Sequence, residues 1–372
     1  MNCLPSLLGA AALSLFAASF VQAETVTFTD IAGRQVQFET PVQRVILGEG
    51  RQAFFTAVLE TENPFARIVG WRDDLRQADP DSYAAYQAQV PQIASISTFG
   101  GLKEGTFDIE QAVSLDPDVM ILNLEAKAAT DEAGYEEKLA ALGIPIVYVD
   151  FREKPFENTM KSMELIGQLY GKGERAAEFN AFFTAEMDKV RSVIAAETDL
   201  IRPLVFVERA GGYSEDCCMS FGAENFGRMV EEAGGTNMAA PFIPGTFGTL
   251  NAEQMVASNP EVVIVTGGNW EAYVPGGAWV GVALGADMAA AKGKLEALMQ
   301  RPAFAGTKAV RQGQVHAICH QFYKIPTASW PSSGLRNGCT PSSSQTSIPR
   351  RHCKSCMPAS FPSHTVRATG SR

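Results

Sequence analysis

Histidine is almost absent from this chain, with four in 372 residues, two of them at positions 352 and 364. So little imidazole argues against a multi-histidine metal centre. No HExxH pair, phosphate loop or nucleophile elbow occurs, so the usual signatures of zinc peptidases, nucleotide hydrolases and serine hydrolases are missing. The glycine pairs Gly100-Gly101, Gly211-Gly212 and Gly267-Gly268 read as turns. Positive charge is in deficit: 31 basic against 41 acidic residues give a formal charge of -10. That balance excludes a general nucleic-acid binder, and no such partner is expected. Two further absences are local. Residues 1–23 contain no Lys or Arg, and residues 325–372 contain no Asp or Glu.

What the chain does have is one long helical stretch. From Gly173 to about residue 198, Ala176, Phe179, Phe183, Met187, Val190 and Ile194 recur every three or four residues, one face of an α-helix. Ala, Glu, Met, Lys and Arg dominate the run, and no Pro interrupts it. About 25 residues at 1.5 Å each span roughly 37 Å, long for a globular helix. The sequence on either side repeats. Glu110-Gln111-Ala-Val113, then Pro117-Asp118-Val119-Met-Ile121, is echoed by Glu253-Gln254-Met-Val256, then Pro260-Glu261-Val262-Val-Ile264. Each copy reads as a short helix, a proline turn and a buried strand. Two copies around a long helix predict two similar lobes joined by a rigid spine.

In chain order, Leu7 to Val21 is apolar and Val21-Gln22-Ala23 offers small residues before Glu24. This is the pattern of a secretory leader cleaved after Ala23, although its first residues lack a basic charge. Cys3 precedes the apolar run and is not placed to carry a lipid. Val26 to Val36, around Asp30-Ile-Ala-Gly33, reads as a hairpin. Val45–Leu47, Ile68–Arg72, Val119–Leu122 and Ile146–Val149 read as strands alternating with helices. Leu204–Val207, Val262–Val265 and Val315–Ile318 repeat the alternation. The fold class expected is α/β: two Rossmann-like lobes with parallel-sheet cores bridged by one long helix. The expected boundaries are a leader at 1–23, a first lobe at 24–172, the bridge at 173–198, a second lobe at 199–324 and an aberrant tail at 325–372.

The opening Asp30-Ile-Ala-Gly-Arg34, the strand ending in Gly70-Trp71, the paired Glu-Gln units and the long helix between them together resemble periplasmic binding proteins for ferric siderophores, haem and cobalamin. These proteins serve ATP-binding-cassette importers. The resemblance covers about residues 24–324. It implies a small-molecule metal chelate held between the lobes, an importer permease as partner, a periplasmic location, a monomer, no catalytic activity and no resident cofactor. It also implies that Glu110 and Glu253, one per lobe, meet Arg residues of the permease. A carboxylate in a helix's first turn also suits the helix dipole, which is the plainer reading of both.

Ligands of open α/β sheets lie beyond the carboxyl ends of the strands. Arg51, Trp71, Arg72, Glu208, Arg209, Tyr213 and Trp270 follow or end strands here, and Phe99 and Phe247 precede the repeated units. Arg51, Trp71, Arg72, Phe99, Arg209, Tyr213, Phe247 and Trp270 are therefore the candidate ligand residues. Guanidinium groups with aromatic rings suit a bulky anionic ligand such as an iron(III)–siderophore chelate. Each arginine could instead serve a structural ion pair. Cobalamin and haem remain alternatives, haem wanting an axial Tyr or His, for which Tyr213 and Tyr273 are available. The alternative from another class is an enzyme or cofactor-assembly protein on a nitrogenase-like two-lobed scaffold. Cluster-binding cysteines would favour it, but only Cys217, Cys218 and Cys319 lie between residues 24 and 324.

His316 and His320 have the i, i+4 spacing of a helical metal pair, but Val315–Ile318 reads as a strand, in which such residues stand roughly 13 Å apart. No bound metal ion is expected. Cys217 and Cys218 are adjacent, and an exported compartment permits either thiols or disulfides.

The tail from Ile325 differs in kind. Six basic residues and no acidic one fall there, so residues 1–324 carry -16. Ser and Pro crowd it and periodicity vanishes, as in a disordered basic tail. A slipped reading frame near Lys324 explains it better. In the frame that joins each codon's third base to the next two, Trp330-Pro331 and Met357-Pro358 must both encode alanine. The remaining codons permit an apolar continuation of the type Pro-Tyr-Ser-Phe-Val-Ala. Members of the family the chain resembles continue here with a Pro-Tyr-x-Phe stretch and two closing helices.

Overall fold

The computed structural model describes residues 24–321 and the two-residue strand Val366–Arg367. The expected leader at 1–23 and residues 322–365 and 368–372 lie outside the described residues. Strands β1 (Glu24–Thr29) and β2 (Gln35–Thr40) form the expected antiparallel hairpin. Its turn explains the Asp-Ile-Ala-Gly-Arg motif. The Asp30 carboxylate accepts from the Arg34 backbone N–H at 3.0 Å and from the Arg34 guanidinium at 2.8 Å, while Gly33 takes φ +79°. The same carboxylate accepts from Tyr148 N–H at 3.2 Å, and Arg34 donates to the Ile146 carbonyl at 2.7 Å. One ion pair thus closes the turn and ties the hairpin to the first lobe.

That lobe contains strands β3 (Val45–Leu47), β4 (Ile68–Arg72), β5 (Ser97–Phe99), β6 (Val119–Asn123) and β7 (Ile146–Val149), all parallel, in the order β5-β4-β3-β6-β7. Between them run helices α1 (Ala53–Leu59), α2 (Asp74–Ala78), α3 (Pro80–Gln89), α4 (Ile109–Ser114), α5 (Lys127–Glu132) and α6 (Tyr135–Ala140). Helix α7 (Pro155–Leu169) follows β7, and α8 (Gly173–Ala196) is the bridge. On α8, Ala176 and Phe179 pack into the first lobe's core and Val190 is buried further along. Near its end, Arg191 pairs with Glu232 of the second lobe at 3.0 Å.

The second lobe contains β8 (Leu204–Glu208), β9 (Met219–Phe221), β10 (Thr236–Asn237), β11 (Phe247–Thr249), β12 (Val262–Gly267) and β13 (Val315–Cys319). Strands β10-β8-β12-β13 are parallel, and β14 (Val366–Arg367) adds antiparallel to β13. Strands β9 and β11 form a separate antiparallel pair. Its helices are α9 (Phe226–Glu232), α10 (Ala252–Ser258), α11 (Met288–Met299), α12 (Pro302–Ala305) and α13 (Lys308–Arg311). The fold is the expected pair of α/β lobes bridged by one helix.

The repeated units match in atomic detail. Asp108 caps α4 by accepting from Gln111 N–H at 3.0 Å, and Asn251 caps α10 by accepting from Gln254 N–H at 2.6 Å. Before each proline the chain turns left-handed, at Asp116 (φ 46°) and Asn259 (φ 47°), residue types that tolerate this conformation. The acid after each proline then accepts from the start of the lobe's first strand. Asp118 takes Arg44 N–H at 2.9 Å and Glu261 takes Leu204 N–H at 3.2 Å.

Candidate ligand cleft between the lobes

Loops beyond the strands' carboxyl ends meet from both lobes, which places the candidate cleft between them. On the first lobe, β3 runs into a turn at Gly48–Arg51. A side chain at Gly50 would collide with the Arg72 carbonyl at 2.5 Å, so only glycine lets β3 and β4 end this close together. The Gly50 N–H donates to Asp74, whose other oxygen takes the Arg51 guanidinium. Arg51 also stands 3.7 Å from Glu49. Its side chain is 11% exposed and that of Asp74 is 5% exposed, so this is a buried pair. Arg72, one strand over, meets Glu104 at 2.9 Å in a pair that is open to water.

The second lobe contributes rings. Tyr213 stands edge-on to Trp270 at 5.9 Å, and Tyr273 lies 6.4 Å from Tyr213 and 6.3 Å from Trp270. His320 backs Trp270 at 5.2 Å and shares a 2.8 Å hydrogen bond with the Thr266 hydroxyl. The Trp270 indole N–H is buried with no acceptor among the described residues. Burial holds the Tyr273 phenol above its ordinary pKa, and Arg51, Asp74 and Arg72 of the other lobe all act on it. Tyr273 therefore faces the first lobe's charges across the cleft.

Direct hydrogen bonds join the lobes along both sides of the cleft. Gln321 accepts from Arg51 at 2.8 Å and donates to the Ala78 carbonyl at 3.3 Å. Asn269 donates to Asp81 at 3.2 Å. On the other side, Asn225 donates through its backbone to the Glu153 carbonyl at 3.1 Å and through its side chain to the Arg152 carbonyl at 2.7 Å. The Arg152 guanidinium lies between Glu125 at 2.8 Å and Glu49 at 3.4 Å. Two buried acids lie close to these loops. Burial lifts Asp79 to about 6 and Glu208 to about 8, with Arg301 opposing the latter shift.

The structure thus gathers Arg51, Arg72 and Tyr213, with Tyr273 among them, while Trp270 is itself buried and packs against both tyrosines. Arg209 and Phe247 stack on each other at 4.4 Å beside the β9–β11 pair. Two of the expected ligand residues are corrected. Trp71 is 1% exposed and packs on Phe65 and Tyr83 in the first lobe's core. Phe99 is 6% exposed, packs on Phe107 and lies over Gly70. Asp74 and Gln321 were missing from the expected set, and Tyr273 stood only as a possible axial ligand for haem. Tyr273 had a signal in the sequence, three residues beyond Trp270 in the loop after β12, but Gln321 had none. Cys217 and Cys218 are bonded to each other. His316 lies on β13 and His320 just beyond it, held by Thr266, so they do not form a helical pair. Hollows of about 420 and 490 Å³ lie away from the cleft, one between α8 and α9, the other near Arg44 and Phe65.

A cobalamin-binding protein from Halobacterium salinarum is 27% identical over 210 residues, 55% of this chain and 52% of that protein. The chain thus matches about half the length of this curated relative. The crystal structure of the TroA-like periplasmic binding protein FepB from Veillonella parvula superposes with a TM-score of 0.73 at 26% identity, covering 81% of this chain and 86% of that one. CeuE of Helicobacter pylori, solved as a nickel–histidine complex, shares the fold with a TM-score of 0.59 at 15% identity, over 82% and 84% of the two chains. The profile of a family described as periplasmic binding protein matches residues 78–321, the greater part of the sequence, and begins after Arg51, Arg72 and Asp74. The chain belongs to the periplasmic binding protein family.

Proposed function

We propose that this protein captures an iron(III)–siderophore-type chelate outside the cytoplasm and delivers it to an ATP-binding-cassette importer, without catalysing a reaction. The observation that carries this reading is the facing of two unlike walls. Tyr213 and Tyr273 offer partly exposed rings packed on the buried Trp270, and the charges of Arg51 and Arg72 on the other lobe act on Tyr273. Rings pack against a bulky chelate, and guanidinium groups pair with its carboxylate or catecholate oxygens. Arg72 is the more available cation, because its pair with Glu104 is exposed and such pairs contribute little. The metal would arrive already chelated. Export through a cleaved leader and docking to a permease through Glu110 and Glu253 complete the proposal.

Intrinsic tryptophan fluorescence tests the ligand class, since Trp270 lies in the ring wall. Titration with an anionic ferric siderophore should quench it and saturate, and a cationic ferric siderophore should bind at least tenfold more weakly. Preference for the cationic chelate, or unchanged binding by Arg72→Ala, overturns the reading. Cobalamin is the second reading, favoured by the curated relative from Halobacterium salinarum. Saturable binding of cyanocobalamin with no response to either siderophore would establish it instead.

A further inference from the structure

The lobes correspond residue by residue through their last two strands. Met120 lies opposite Ile146, and Val263 lies opposite Val315. Val119, Ile121, Val147 and Val149 therefore correspond to Val262, Ile264, His316 and Ile318. The first four are 0% exposed. Met163, Ile166 and Leu169 of α7 belong to the same buried core, with α1 beside them. The second four are all only partly buried. Helix α9 reaches this face with Phe226 and Val230, as α1 does in the first lobe, but no described helix takes the place of α7. The deficit is confined to one face. On the other side of β12 and β13, Val263, Val265, Val315 and Ala317 are at most 1% exposed.

We propose that this face of β12 and β13 is the seat of a helix equivalent to α7. Its occupant is an amphipathic segment that the same gene encodes directly after β13, and a frame slip near codon 324 has replaced it with residues 325–372. Three observations converge on this. Helix α7 begins six residues after Val149, and the same spacing from Ile318 reaches Lys324, next to the first residue of the Ser- and Pro-rich tail. The sequence that follows lacks the pattern of α7. Pro326 and Pro331 lie five residues apart, whereas α7 carries its only proline at its first position, the one place where the missing N–H costs nothing. The alternative frame turns Trp330-Pro331 into alanine and permits apolar residues around it, which suits a face made of Ile264 and Ile318.

The test compares the full chain with one that carries the alternative-frame translation from codon 325 onward. The alternative-frame chain should bind several-fold less of the hydrophobic dye ANS and melt roughly 10 °C higher, because it covers a face of several apolar side chains. Ile318→Ser should shift melting by under about 2 °C in the present chain and several times more in the alternative-frame chain, where the side chain becomes buried. Equal dye binding and melting in the two chains overturns the proposal. So does an Ile264→Ser shift in the present chain as large as that of Ile121→Ser, which would mean that the face is already covered. The latter comparison decides the matter even if the alternative-frame chain does not fold. Resequencing the gene decides the slip itself, and a clean read without an insertion or deletion near codon 324 removes it.

Discussion

The first lobe brings charge to the cleft, and the second brings rings and amides. Glu49, Arg51, Asp74, Glu125 and Arg152 belong to the first lobe, and each pairs within it. Tyr213, Asn225, Asn269, Trp270, Tyr273 and Gln321 belong to the second, and its three amides make the contacts across the gap. The difference separates two tasks. Charges held by neighbours in their own lobe keep their geometry whether the cleft is open or closed. Neutral amides exchange protein partners for water at a net cost of only about 1 kcal/mol each, so they join the lobes without locking them.

The largest effect expected is on the charged side. Arg51→Met leaves the Asp74 carboxylate buried without its cation, which typically costs about 3–5 kcal/mol. Arg72→Ala removes half of an exposed pair and should cost about 0–1 kcal/mol, while weakening an anionic ligand more than it weakens the fold. Thermal melting of the two variants separates them. Equal losses would show that Arg51 and Asp74 do not hold each other in the way the geometry indicates.

The second lobe's buried acid gives the next largest effect. An unfolded glutamate ionises near its ordinary value, whereas Glu208 stays protonated in the fold up to about 8. The contribution is therefore least unfavourable below the ordinary carboxylate range. Stability falls as pH rises from there to about 8 and then levels off. Asp79, lifted to about 6, acts with the same sign over the lower part of that window. Glu208→Gln removes the titration, so its melting advantage over the parent should be near zero at pH 4 and greatest near pH 8. An advantage independent of pH would mean that Glu208 is ionised in the fold.

The central strands and the bridge were legible because buried parallel strands read as Val and Ile runs and a long helix reads as a 3.6-residue period, whereas the two- and three-residue strands β5, β9, β10 and β11 are too short to show a pattern. The site was legible only in part. Trp71 and Arg72 are neighbours on β4, and alternation sends them to opposite faces. A position near a strand end names a region of the cleft, but the pleat decides which of two adjacent residues enters it, so Trp71 went to the core. Arg51 finds Asp74 across 23 residues and Gln321 across 270, and no local pattern encodes either meeting. The internal repeat was visible through its local Glu-Gln, Pro-acid and Val-Ile positions, but the caps Asp108 and Asn251 and the left-handed Asp116 and Asn259 emerged only in the structure.

That repeat supplies the smallest predicted effect on the fold and a separate one on function. Glu110 and Glu253 are both exposed and occupy the second position of α4 and α10, two residues beyond the caps Asp108 and Asn251. Neither takes part in the capping bond, which runs to the N–H of the next residue. Their local role is at most a first-turn charge, worth about 0.3–1 kcal/mol. If that is their whole role, Glu110→Arg and Glu253→Arg should lower melting slightly and change nothing else. If the two mark a pseudo-symmetric face that meets a two-fold permease, reversing their charge should leave ligand affinity within about twofold but slow uptake. The double variant should then be worse than either single one, because steering charges act on association. Uptake of radiolabelled iron chelate by cells expressing each variant, beside ligand titration of the purified proteins, separates the two roles. Normal transport by the folded double variant would leave only the helix-end role, and the lobes' symmetry would then concern folding alone.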